Sequence, residues 1–220
     1  MSIVAAIAFH YSCFYIHIFC FSFDNVLIDF DKYPEQWNWS PSILALIASL
    51  IILFLAFIFA NFVNGKIQIK YISEQTEKRN KIFLFLFCIL GGISIVLIQY
   101  NISLFFFKDK ISSEVSSFEL WLLPSLIAMN FVSPIAEELF FRKGIFNFLH
   151  SEFNSFVSIG ISSILFAAVH FPNYRQMIMT FFGGILLGVI YKRTNKIVYP
   201  VVFHISWNTT VVILNFIPIL

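Results

Sequence analysis

The chain has 220 residues, of which 59% are hydrophobic and only 12% charged, and thirty are phenylalanine. Soluble domains carry about a quarter charged residues, so a water-soluble fold is excluded and the lipid bilayer is the natural solvent. A net charge of +2 is too small to point to nucleic acid, and three cysteines without a C-x-x-C pair define no disulfide framework.

A helix crossing the hydrocarbon core needs about 20 apolar residues. Such windows predict spans near 3–23, 42–63 and 82–107. A longer, charge-interrupted segment follows from 118 to 149, then two short spans near 156–171 and 175–191, and a last one near 197–219. The expected fold is therefore an all-α, polytopic transmembrane bundle of seven helices, or eight if the fourth breaks at Pro134. The first span has no basic flank, so it reads as an anchor rather than a cleaved signal. Cys13, His17 and Cys20 share one of its faces, which is a thin basis for a metal site. There is no low-complexity linker and no second domain, and the polar constellations all lie in the C-terminal half.

Basic residues set the orientation. Lys66, Lys70, Lys78, Arg79 and Lys81 lie in one loop, and Lys192, Arg193 and Lys196 in another. Seven spans put both loops on the same side, taken as cytoplasmic, with the acidic residues Asp24, Asp29, Asp31, Glu35, Asp109 and Glu114 opposite. No internal repeat is visible, which disfavours a transporter built from two related halves. Insertion in the cell membrane as a multi-pass protein is the expectation.

Ionisable residues inside membrane segments are costly and mark functional sites by default. Three groups stand out. In SPIAEELFFRKGIF (133–146), Glu138 and Arg142 are four apart and face each other on a helix. Glu137 is rotated by about 100° from Glu138 and is not committed to Arg142. Lys143 reads as an anchor whose stem lies along apolar surface. In LFAAVHF (165–171), Phe166 and His170 share a face. A turn at HSEFN (150–154) would bring His170 to the depth of Glu137. In HISWN (204–208), His204 and Asn208 share a face, and both donate hydrogen bonds suited to a developing oxyanion. Gly184 and Gly188 in GGILLG (183–188) form a small-x-x-x-small face for close helix packing.

A carboxylate, an imidazole and a His/Asn donor pair make a kit for amide hydrolysis. Glu137 would be the general base that takes a proton from water, His170 would orient that water, and His204 with Asn208 would stabilise the tetrahedral oxyanion. Glu138, neutralised by Arg142, would hold the helix. A metal variant uses Glu137, His170 and His204 around a divalent ion such as zinc. The chain has no HExxH motif. Spacing does not choose between the two, although His204 and Asn208 make better sense as an oxyanion pair.

Together the three motifs resemble the CPBP family of intramembrane proteases, which takes in type II CAAX prenyl endopeptidases and the bacteriocin-immunity-like and lysostaphin-resistance-like proteins. The family pattern of EExxxR, FxxxH and HxxxN/D is matched by EELFFR (137–142), FAAVH (166–170) and HISWN (204–208). Pro134 and Gly144 also fit, while Lys143 stands where glycine is common. The resemblance covers residues 118–217, which it implies are the protease core, and leaves 1–117 as N-terminal transmembrane helices. It implies a helical membrane fold, hydrolysis of a membrane-associated protein or peptide, and the roles just given to Glu137, Glu138, Arg142, His170, His204 and Asn208. It leaves metal dependence open. The polar residues after Arg142 (Lys143, Asn147, His150, Glu152, Asn154) place the site in the cytoplasmic half. Two other classes compete with an enzyme: a non-catalytic membrane immunity protein that sequesters an antimicrobial peptide or partner protein, and a proton-relay transporter.

Overall fold

The computed structural model describes residues 39–66, 81–107 and 120–216. The expected span at 3–23, the Cys13–His17–Cys20 face and the first acidic loop lie outside the described residues, as do Asp109, Glu114, all of the basic loop but its two ends, and the last four residues. Among the described residues the chain is helical, with short turns and no strand.

Helix α1 runs Trp39–Lys66 and α2 runs Lys81–Phe107. A segmented helix then occupies 120–152. It begins with a 3₁₀ turn (Leu120–Leu122) and α3 (Leu123–Ile127), passes through a π-helical segment (Ala128–Val132) into α4 (Ser133–Glu138), and continues through a second π-helical segment (Leu139–Phe146) into α5 (Asn147–Glu152). Helices α6 (Ser155–Ala168), α7 (Tyr174–Thr194) and α8 (Val198–Phe216) complete the fold.

The helix does not break at Pro134, the alternative that would have made the spans eight. Proline lacks the N–H that an α-helix interior needs and clashes with the preceding turn. Here the first π-helical segment widens the turn ahead of it, with Ser133 N–H reaching back to the Ala128 carbonyl, and Pro134 sits at the start of α4. The path continues as one segmented helix.

Short caps set the other boundaries. The helix ends after Glu152, within the predicted turn, and the Asn154 side chain accepts from Val157 N–H at 3.0 Å to start α6. Asn173 does the same for α7 through Gln176 N–H at 3.0 Å. Asn195 ends α7 in the left-handed region (φ 53°), a conformation asparagine tolerates better than most residues.

Among the described residues, three helices are long and apolar enough to cross a membrane: Ser42–Gly65, Lys81–Asn101 and Tyr174–Thr194. Helices α6 and α8 add shorter apolar stretches. Large side chains such as Phe54, Phe83, Ile82 and Phe156 stand outward on these helices, a surface that suits lipid rather than water. The all-helical membrane architecture is therefore as expected, with the first predicted span beyond the described residues.

Inside the bundle, α1 lies along the segmented helix, α2 packs on α8, and α7 packs on both α6 and α8. Small residues permit the last contacts. Ser158, Ser162 and Ser163 are fully buried on α6, with each hydroxyl returned to a carbonyl three or four residues back. Facing them, Gly184 meets Ser163 and Phe166, and Gly188 meets Ile159, as the small-residue spacing predicts. Gly183 faces the other way, where Trp207 of α8 occupies the space a Cβ would need. One helix thus uses adjacent glycines to approach two neighbours.

Candidate active site

The site forms where the end of α4 meets the middle of α8. Glu137 and Glu138 close α4, and Arg142 follows in the second π-helical segment. Glu138 and Arg142 are both fully buried, and Arg142 Nε donates to Glu138 Oε2 at 3.1 Å. The pairing follows from the four-residue spacing. Its burial is the costly part, because a charge removed from water must be matched by partners.

The second oxygen of Glu138 is occupied as well. His204 Nδ1 lies 3.1 Å from Glu138 Oε1, across 66 residues of sequence. On the other edge of the same ring, His204 Nε2 lies 3.8 Å from Glu137 Oε2. The imidazole therefore stands between two adjacent carboxylates, one fully buried and the other 12% exposed. Glu137 is the carboxylate that retains some access, as its divergence from Arg142 on the helix requires.

Phe166 forms the wall. Its ring lies 5.3 Å from the Arg142 guanidinium carbon, in cation–π range, and makes edge contacts with His170 at 5.4 Å and His204 at 5.8 Å. Phe141 packs edge-on against it at 5.2 Å. Among the described residues, Arg142 Nη1 and Nη2 are buried and make no hydrogen bond.

His170 ends the α6 turn. It is buried, and its Nδ1 lies 3.0 Å from the Phe166 carbonyl, a bond within its own helix end that fixes the ring. Asn208 stands one turn beyond His204 on α8, and its Nδ2 donates to the Met129 carbonyl at 3.1 Å. That carbonyl belongs to the first π-helical segment, so Asn208 ties α8 to the segmented helix ahead of Pro134.

All six residues singled out in the sequence thus lie on three neighbouring elements, and four of them are linked directly through His204 or Glu138. The contact of His204 with both carboxylates was not anticipated. Spacing along one helix carries no information about which residue of another helix it meets.

Both ring nitrogens of His204 are turned to carboxylates, and among the described residues no three His, Cys, Asp or Glu side chains gather into a group able to hold a metal ion.

A model of the family described as "Type II CAAX prenyl endopeptidase Rce1-like" matches residues 119–210. The chain is 35% identical over 94 residues to "Putative membrane peptidase YdiL" of Bacillus subtilis, a stretch that is 43% of this chain and 38% of that protein. It is 29% identical over 92 residues to "Membrane-embedded CAAX protease MroQ" of Staphylococcus aureus, covering 39% of this chain and 36% of that protein. The chain therefore spans well under half the length of these curated relatives. No solved structure shows a significant match.

Proposed function

We propose that the chain, whose residues 119–210 match the Rce1-like type II CAAX prenyl endopeptidase model, is a protease of that family and a multi-pass endopeptidase of the cell membrane. The CPBP resemblance carried by the three motifs agrees with this match. The substrate class is a membrane-associated protein or peptide, hydrolysed by the core at 118–217 with the preceding helices as its scaffold.

The observation that supports this reading is the placement of Glu137 and Glu138 on either edge of the buried His204 ring, with the Phe166 ring beside it. Glu137, the more accessible carboxylate, takes a proton from water as that water attacks the scissile carbonyl. The buried Glu138–Arg142 pair carries no proton in this scheme. It fixes the His204 ring through Nδ1. His204 acts as an imidazolium, with Nδ1–H held by Glu138 and Nε2–H offered to the tetrahedral oxyanion.

Asn208 supplies a second donor. Its amide nitrogen carries two hydrogens, so the bond to Met129 leaves one for the oxyanion. His170 orients the attacking water. The proton on Glu137 then passes to the departing amine, the C–N bond breaks, and both carboxylate and amine products leave with Glu137 ionised again. No step in this scheme needs a metal.

Hydrolysis is tested by incubating detergent-purified protein with a library of membrane-anchored and soluble peptides. Mass spectrometry should find two products whose masses sum to the substrate plus one water. Uptake or retention of intact peptide, with no such pair, would favour a binding protein instead.

A further inference from the structure

Helix α1 lies outside the matched segment 119–210, yet it reaches into the second π-helical segment with polar groups. Asn64 Nδ2 donates to the Lys143 carbonyl at 3.1 Å and also to the Ala60 carbonyl of its own helix. Asn147 donates to Asn64 Oδ1 at 2.9 Å and to the Tyr191 hydroxyl at 3.1 Å. One chain of side-chain hydrogen bonds thereby joins α1, the segmented helix and α7. Beside it, Gly144 leaves the space that the Phe59 ring fills, and Phe59 packs on Phe140 with centroids 4.9 Å apart.

Asparagines between membrane helices commonly act as glue. What this pair holds gives it a more specific role. Wide π-helical turns are rare and concentrate at functional sites, and the direction of a side chain on one depends on how that turn is fixed. The Lys143 carbonyl is adjacent to Arg142, whose Nε holds Glu138, which in turn holds His204.

We propose that Asn64 is a positioning residue for this site: its amide, backed by Asn147 and Tyr191, fixes the second π-helical segment so that Arg142 keeps Glu138 against His204. The effect on turnover rests on the hydrolytic reading above, whereas the geometric effect on His204 does not. Small displacements of a reacting group cost activity steeply, so Asn64→Ala should lower kcat about tenfold. KM should stay within about twofold, because the substrate itself is not contacted.

The test uses the full chain labelled with ¹⁵N-histidine in detergent micelles. The His204 ring resonances, assigned by their disappearance in His204→Gln, report both carboxylate contacts in the absence of substrate. Asn64→Ala is expected to shift them, and Asn147→Ala, which leaves the Lys143 contact in place, to shift them less. Should Asn64→Ala fail to fold, Asn147→Ala decides by itself. His204 resonances identical to wild type in the folded variants would overturn the proposal, as would a kcat loss that merely follows a lowered unfolding midpoint. A wild-type protein that cleaves nothing would sink the hydrolytic reading alone, and the resonances would still decide the role of Asn64.

Discussion

His204 of α8 and Glu138 of α4 meet at 3.1 Å with their backbone positions 66 residues apart, and this contact fastens the two motif-bearing helices together. Glu138 is fully buried, and its charge is balanced by Arg142 on one oxygen and by His204 on the other. Stability and the proposed chemistry meet in this one carboxylate, and substitutions can separate them.

Arg142→Leu should leave a buried, half-compensated carboxylate and destabilise the protein by about 3–5 kcal/mol. The double variant Glu138→Leu/Arg142→Leu removes both charges and should recover most of that loss while remaining inactive. Unfolding midpoints in a fixed detergent, read beside peptide cleavage, check both halves. A double variant as unstable as the single one would mean that the pair is held by something other than charge balance.

The two proposed oxyanion donors should behave alike in kinetics and differently in stability. Asn208→Ala is expected to lower kcat by about 10²–10³ with little change in KM, the cost of removing one such donor. His204→Gln should lower kcat at least as far. It should also lower the unfolding midpoint, because Glu138 loses a buried partner. A normal kcat in Asn208→Ala would restrict Asn208 to its bond with the Met129 carbonyl.

Gly183 and Gly160 make a matched pair for the packing. A Cβ at Gly183 would overlap the Trp207 ring, whereas one at Gly160 meets nothing within 4 Å. Gly183→Ala should destabilise the bundle by about 1–3 kcal/mol through overpacking. Gly160→Ala should be neutral or slightly stabilising. Trp207 neighbours the His204 ring at 6.3 Å, so Gly183→Ala should also reduce cleavage.

Much of this was legible in the sequence, and the reason is period. Four-residue spacing predicts the Glu138–Arg142 pair, and the small-residue face of Gly184 and Gly188 predicts the close approach of α6 and α7. Asn154 lies in the turn expected at 150–154, while its capping role, like that of Asn173, emerges only in the structure. What period cannot carry stayed hidden. The π-helical segments depend on which carbonyl each N–H reaches, and their residues have no distinctive composition. Pro134 leaves a break open in sequence because the widened turn before it is invisible there. Likewise Asn64 and Asn147 look like two unrelated polar residues at helix ends, and Gly183 looks like a bystander beside Gly184. Each needs a partner from another helix to acquire a role. The same applies to His204, whose neighbour along α8 is Asn208 but whose closest polar contact is Glu138.

The most direct test of the central claim is the steady-state cleavage rate of a quenched fluorescent peptide, measured for wild type and Glu137→Gln, each with and without a strong chelator. The account predicts that wild-type cleavage survives chelation and falls by about 10²–10⁴ in Glu137→Gln, as expected for loss of a general base, with the variant still folded and inserted. Equal rates in wild type and Glu137→Gln would contradict the role of Glu137, and wild-type activity lost to the chelator and restored by added metal would contradict the metal-free step.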